Sequence, residues 1–267
     1  MLHKNISLQS ANIFYRVAGS GQPVVLLHGF GEDGDVWDKQ VDVLKNNYTL
    51  IVPDLPGSGR SGMIDDMSME GMAGLVKELI DTAIPAGQKI ILIGHSMGGY
   101  ISLAFAQKYG SSLSGLGLFH SSAFADSEEK KATRLKAIDF IKKNGSYDFL
   151  RTSVPGLFVK TQNNAGPLPG EVQGLIDKVA QFDPEALIRY YHTMIARPDR
   201  TELLKNFPHP VLFIIGEQDK AVPFAQSMQQ SYLPAVAHIH ILRNSAHMGM
   251  WEETEKANKA LLDFLQG

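Results

Sequence analysis

Two hydrophobic periods alternate along the first 120 residues. Short apolar runs at 24–27, 48–52, 90–93 and 113–119 read as strands. Runs that are apolar on both faces suit the interior of a parallel sheet. Between them, apolar residues return at helical spacing. Val36, Trp37, Val41 and Leu44 do so within 35–45, and Met69, Met72, Leu75, Val76 and Leu79 within 68–83. Residues 97–109 read as a further helix. At the start, strands at 6–10 and 13–17 flank Ala11-Asn12, which predicts a hairpin turn there. Strand and helix in this order mean α/β units around a mostly parallel sheet.

The rhythm stops after His120. From 121 to 198 the pattern is helical, without a convincing strand. A charged amphipathic stretch at 126–144 ends at Asn144-Gly145, and Asn163-Asn164-Ala165-Gly166-Pro167 is a loop signal. Asp183-Pro184 is a helix cap followed by a first-turn proline. Strands then return at 211–215 and 236–242, with a short helix at 223–231 and a closing helix at 252–265. The expected organisation is a core of 1–120 and 199–267 interrupted by a helical subdomain at 121–198. Open α/β sheets place ligands in the crevice at the carboxyl ends of their strands, and the insertion is positioned to cover that crevice as a lid.

Composition narrows the chemistry. The 267 residues are 44% hydrophobic and 20% charged, as in an ordinary soluble domain. With 25 basic and 28 acidic residues the formal charge is −3, which argues against a dedicated nucleic-acid binder. The chain has no cysteine, so disulfides, thiolate metal sites and cysteine nucleophiles are excluded. No run approaches the ~20 apolar residues of a membrane helix. Met1-Leu2-His3-Lys4-Asn5-Ile6 opens no signal-peptide run. The expectation is a cytoplasmic protein with no membrane or nucleic-acid partner; monomer and dimer both stay open.

The sharpest signal is Gly94-His95-Ser96-Met97-Gly98, a G-x-S-x-G pattern between an apolar strand and a helix. Ser96 would stand at the apex of a tight turn, where larger side chains two residues away clash, and Gly99 would let the helix approach the sheet. A serine nucleophile needs a base, and the base needs an orienting group. His247 lies in a small-residue loop after strand 236–242. Asp219 lies in Gly216-Glu217-Gln218-Asp219 after strand 211–215, with Glu217 as its rival. Serine, aspartate and histidine then follow in the chain order of a nucleophile-elbow hydrolase, each at a strand end. Singly, Asp219 and His247 read equally well as helix caps; jointly they read as a triad. Oxyanion donors would be the Met97 N–H and the Phe30 N–H, the latter in His28-Gly29-Phe30-Gly31.

The other histidines have plainer readings. His28 braces its loop and His95 points away from the nucleophile. His120 ends a strand where it either meets substrate or packs at a hinge. His192 is undecided. His238 and His240 share a strand face, but no third ligand is near them in sequence, so a metal is not expected.

Taken together, Gly94-His95-Ser96-Met97-Gly98-Gly99, His28-Gly29-Phe30-Gly31, Gly216-Glu217-Gln218-Asp219 and Ser245-Ala246-His247 resemble the α/β-hydrolase fold with a helical cap. Pro53-Asp54-Leu55-Pro56-Gly57-Ser58-Gly59 resembles the family's loop after its fourth strand. The resemblance covers essentially the whole chain and is least specific at 121–198. It implies an eight-stranded, mostly parallel sheet with an antiparallel second strand, helices on both faces, and a cap inserted after the sixth strand. It implies hydrolysis through an acyl-enzyme without a cofactor. Within the family the chain resembles bacterial carboxylesterases and enol-lactonases. Haloalkane dehalogenases carry aspartate where this chain has Ser96, which disfavours that activity.

Large apolar residues in the insertion (Phe124, Tyr191 and Met194 among them) predict a partly apolar ceiling and a neutral acyl or alcohol group. Expected substrate contacts are Phe30, Met97, His120, Phe124 and Met194. Lys130, Lys131, Arg134, Lys136, Lys142 and Lys143 read as a solvated helix face. The leading expectation is a serine hydrolase of small-to-medium, mainly apolar carboxylic esters. Lactone or carbon–carbon bond hydrolysis by the same residues is the second reading, favoured by charged groups in the pocket. A ligand receptor with little turnover is the third.

Overall fold

The computed structural model describes residues 1–159, 169–179 and 182–267. Eight strands form one sheet: β1 (Leu2–Leu8), β2 (Ala11–Ala18), β3 (Gln22–Leu27), β4 (Tyr48–Pro53), β5 (Ile90–His95), β6 (Leu113–Phe119), β7 (Val211–Gly216) and β8 (Ala237–Leu242). Their spatial order is β1-β2-β4-β3-β5-β6-β7-β8. β2 pairs antiparallel with both neighbours; every other pairing is parallel. The carboxyl ends of β3, β5, β6, β7 and β8 therefore open at one edge. β5 and β7 are buried at every position, as their continuous apolar runs require.

The helices are α1 (Asp38–Leu44), α2 (Met69–Ala83), α3 (Met97–Tyr109), α4 (Glu128–Ser153), α5 (Pro169–Val179), α6 (Pro184–Ala196), α7 (Thr201–Asn206), α8 (Phe224–Ser231), α9 (Gly249–Glu252) and α10 (Thr254–Gln266). Packing pairs α2 with α3 and α1 with α10 on the two faces of the sheet. α2 starts where the Ser68 hydroxyl accepts the Gly71 N–H, and it buries Met69, Met72, Leu75, Val76 and Leu79 at helical spacing. α6 starts at an Asp183 cap with Pro184 in its first turn. Among the described residues, four α-helices, α4 to α7, lie between β6 and β7. Among the described residues no helix is long and apolar enough to cross a membrane.

Several sequence expectations shift. The first hairpin turns at Gln9-Ser10, with φ of 47° and 65°, not at Ala11-Asn12. Leu8 pairs with Ala11, so only two residues form the turn, and both take the left-handed geometry that matches strand twist. The break at Gly145 is real (φ 84°, ψ 171°), but the chain re-enters a helix at once and continues to Ser153. The last helix is two pieces, α9 and α10, and α7 was not foreseen. The loop signal at 163–167 lies outside the described residues.

Candidate active site

Ser96 joins β5 to α3 with φ 49° and ψ −114°, a conformation that costs about 1–3 kcal/mol in a non-glycine residue. The turn is held by the Ser96 N–H donating to Phe119 O and the Gly99 N–H donating to Ser96 O, both 3.0 Å. A Cβ at Gly94 would lie 2.2 Å from the Gly98 carbonyl carbon, and one at Gly99 would lie 2.2 Å from Ser121 Oγ. Glycine is therefore dictated by close approach. Met97 is the first residue of α3, so its N–H has no partner within the helix and lies at the helix's positive end.

Asp219 and His247 come together from the loops after β7 and β8. His247 Nδ1 lies 2.7 Å from Asp219 Oδ2. Asp219 Oδ1 accepts the N–H groups of Ala221 at 2.8 Å and Val222 at 2.9 Å. Burial pushes the Asp219 carboxyl up, but the adjacent His247 and His120 rings and the backbone donors outweigh it and hold the carboxyl at about 2. Glu217, the rival carboxylate, is exposed and makes no bond to His247 among the described residues. Ser96 and His247 both border one cavity of about 770 Å³. No hydrogen bond joins the Ser96 hydroxyl to His247 among the described residues; such contacts commonly tighten only when substrate is in place.

Behind these groups lies a layer of polar residues that sequence reasoning missed or set aside. His95 is fully buried. Its Nε2 lies 2.9 Å from the His247 carbonyl, which can only accept, and its Nδ1 lies 3.0 Å from Glu32 Oε2. The same Glu32 oxygen accepts the Gly29 N–H at 2.7 Å. One hydrogen-bonded chain thus links the loop after β3, the nucleophile turn and the base loop. Burial alone would neutralise both partners, but each stabilises the other's charge, raising the His95 pKa and lowering that of Glu32. Gly29 is needed here for space: a Cβ would lie 2.8 Å from His95 Nδ1. Glu252 Oε2 accepts the N–H groups of Ala246 (2.9 Å) and Met248 (3.2 Å), on either side of His247. Glu32 is a buried loop carboxylate, which has no period in sequence, and Glu252 is marked only by its half-buried position at the end of short α9.

Phe30, Phe124 and Met194 border the cavity, as expected from sequence. Phe30 stacks on Tyr191 with ring centroids 4.3 Å apart, tying the loop after β3 to the helical insertion. Two expected contacts are corrected. The Met97 side chain is wholly buried in the core and does not border the cavity. His120 also lies beneath it, because β6 delivers its ring to the protein interior. The N–H groups of Gly216 and Gly249 point at its two nitrogens at 3.1 and 3.2 Å, and Nδ1 lies 3.5 Å from Asp219 Oδ2. Burial lowers its pKa well below the usual histidine value.

His28 braces its loop: Nδ1 lies 2.8 Å from Gly29 O, and Nε2 accepts the Leu55 N–H at 2.8 Å. His192 is exposed and does not border the cavity. His238 packs its ring edge-on against Phe264. Among the described residues no group of three or more histidine or acidic side chains is arranged to hold a metal ion.

The cavity lining is mixed. Leu150, Val154, Leu157, Leu175, Met194 and Val222 are apolar, and Tyr100, Asp126, Arg134 and Arg197 form a polar cluster. Arg134 and Lys130 therefore leave the solvated face assigned to them from sequence. The kink at Gly145 and the return through α6 place the N-terminal half of α4 against the crevice.

Residues 24–260 match the sequence profile of the alpha/beta hydrolase family. A pimeloyl-[acyl-carrier protein] methyl ester esterase of Vibrio vulnificus is 28% identical over 261 residues, covering 96% of this chain and 98% of that protein. A 2-hydroxy-6-oxo-6-phenylhexa-2,4-dienoate hydrolase of Comamonas testosteroni is 26% identical, covering 95% and 91% of the two chains. Among solved structures, a thermophilic esterase from Thermogutta terrifontis superimposes with a TM-score of 0.90 at 28% identity, covering 100% of this chain and 98% of the other.

Proposed function

The chain belongs to the alpha/beta hydrolase family, and on that premise we propose that it is a serine hydrolase of small-to-medium carboxylic esters. The observation that carries this reading is the 2.7 Å Asp219–His247 bond, with Ser96 on a strained turn bordering the same cavity as His247. Ser96 Oγ attacks the ester carbonyl while His247 Nε2 takes its proton. The N–H groups of Met97 and Phe30 receive the charge that develops on the carbonyl oxygen. The alcohol departs with the proton from His247. Water, deprotonated by His247, then attacks the acyl-enzyme, and Ser96 regains its proton as the carboxylic acid is released. Asp219 stays ionised, orients the ring and balances the imidazolium. Residues 121–198 act as a lid over the core of 1–120 and 199–267, and their apolar side chains receive the acyl or alcohol chain.

Lactone or carbon–carbon bond hydrolysis by the same residues is the second reading. It is favoured by the charged groups that line the cavity and by the likeness to a dienoate hydrolase. The test is hydrolysis of p-nitrophenyl esters from acetate to decanoate, with Ser96→Ala alongside. Turnover that peaks at one chain length and vanishes in the variant supports the ester reading. Turnover that persists in Ser96→Ala removes Ser96 as nucleophile.

A further inference from the structure

Two guanidinium groups share one carboxylate in the polar cluster. Arg134 Nε lies 2.5 Å from Asp126 Oδ2, and Arg197 Nη1 lies 2.8 Å from Asp126 Oδ1. The three side chains are 12%, 3% and 0% exposed for Arg134, Arg197 and Asp126. Arg197 is held at several further points. It also donates to Met194 O at 2.8 Å and Phe124 O at 2.9 Å, and it lies on the Tyr100 ring at 3.9 Å. Arg134 is not. Its Nη2 reaches Asp126 at only 3.5 Å, and no partner is bonded to its Nη1 among the described residues. The Tyr100 hydroxyl likewise makes no hydrogen bond among them, although Tyr100 borders the cavity.

The cluster therefore carries one more positive than negative charge, away from bulk water. A buried charge without a counter-ion is costly, and an anionic ligand would supply the missing partner. Other charged lining groups do not supply it. Glu32 is balanced by His95, and the outer Glu129, Lys130, Asp199 and Lys220 are two of each sign. The Tyr100 hydroxyl registers the same excess. Burial pushes its pKa up, yet Arg197, Lys130 and Arg134 outweigh burial and lower it.

We propose that Arg134 and the Tyr100 hydroxyl form a carboxylate subsite, so that the preferred substrate is an ester whose far end is anionic. This deepens the ester-hydrolase reading and rests on it. Tyr100 follows Ser96 by four residues on α3, a rise of about 6 Å. Ser96, Tyr100 and Arg134 border the same cavity, an arrangement that suits the half-ester of a dicarboxylic acid. The guanidinium edge offers directed donors to the carboxylate, and the Tyr100 hydroxyl adds one more.

The experiment compares kcat/KM for monomethyl succinate, glutarate and adipate with the neutral methyl esters of equal chain length. It uses the wild type, Arg134→Gln and Tyr100→Phe. The wild type is expected to favour a half-ester at one chain length. Arg134→Gln is expected to lower the half-ester-to-neutral ratio about tenfold to a hundredfold, chiefly through KM. Tyr100→Phe lowers the ratio by a smaller factor, and it keeps the test informative if Arg134→Gln does not fold. An arginine that only braces α4 would weaken both esters alike. An unchanged ratio, or a wild-type preference for neutral esters, overturns the subsite. If no ester is turned over, the ester reading fails, and calorimetric titration with glutarate decides the subsite separately. Binding that Arg134→Gln weakens supports it, and absence of binding in the wild type overturns it.

Discussion

The floor and the roof of the cavity are built on different principles. The floor consists of loops at the carboxyl ends of β3, β5, β7 and β8, and its polar groups are buried, paired and cross-linked. Asp219 holds His247, His95 holds the His247 carbonyl, Glu32 holds His95, and Glu252 gathers the N–H groups around His247. The roof, from α4 to α6, is joined to the floor mainly by side chains. Phe30 stacks on Tyr191, Lys178 meets Asp33 and Asp35, and the backbone contributes the His247 N–H to Leu157 O at 2.9 Å. A floor of this kind fixes reacting atoms, and each of its bonds is costly to lose. A roof of this kind fixes what fits, and its contacts are exchangeable one at a time.

The sharpest way to break this contrast is in the floor. Asp219→Asn is expected to lower kcat about ten-thousandfold with little change in KM, because the His247 ring loses its orienting carboxylate. Steady-state kinetics on a p-nitrophenyl ester checks it, and a change confined to KM would contradict the floor's assignment to chemistry.

Next in size is the buried pair behind it. Glu32→Gln leaves His95 buried without its counter-charge and is expected to cost about 3–5 kcal/mol near neutral pH. The pH dependence follows from the two shifts. The His95 pKa is raised, so its contribution is complete below the unfolded value of 6.5 and is lost as pH rises through the folded value. The Glu32 pKa is lowered, so its contribution is complete above the unfolded value of 4.5 and is lost as pH falls through the folded value. Denaturant unfolding across pH should show the gap between wild type and Glu32→Gln widest between these values and narrower on either side. A pH-independent gap would mean that the two groups do not act as an ion pair.

The roof should respond differently. Tyr191→Ala removes an aromatic surface from the cavity and is expected to raise KM for apolar esters about tenfold, with kcat changed by about threefold or less. A kcat loss comparable with that of Asp219→Asn would erase the distinction between the two regions. Smallest of all is Lys178→Ala. Its Nζ is 2.8 Å from Asp33, but the lysine side chain is 40% exposed. The expected cost is about 1 kcal/mol or less, fading as salt is added, in thermal unfolding at low and high ionic strength.

Legibility in the sequence follows the same division. Ser96, Asp219 and His247 stood out because each sits where a strand's apolar run ends in a small-residue turn, and their chain order belongs to a known arrangement. Phe30 could be picked out by its place between two glycines. Glu32 and Asp126 carried no such mark, since a buried carboxylate in a loop looks like any surface acid until its partner is known. Arg134 was misplaced for a related reason. The charge pattern of α4 fits a solvated helix, and only the packing of that helix against the crevice turns one of its cations inward. Met97 follows Ser96 directly and His120 ends β6, beside the strand that carries Ser96, but both side chains point into the core.

The sequence by itself determined the alternation of strands and helices, a helical interruption of that alternation after β6, and the residues that stand at the strand ends. These are local matters, settled by hydrophobic period, glycine and proline punctuation, and steric limits at tight turns. Tertiary structure alone decided which carboxylate meets His247, which histidine is held charged, and which arginine faces the cavity. Those outcomes depend on distances of a few ångströms between segments up to about 150 residues apart, where burial and charge pairing act and periodicity carries no information.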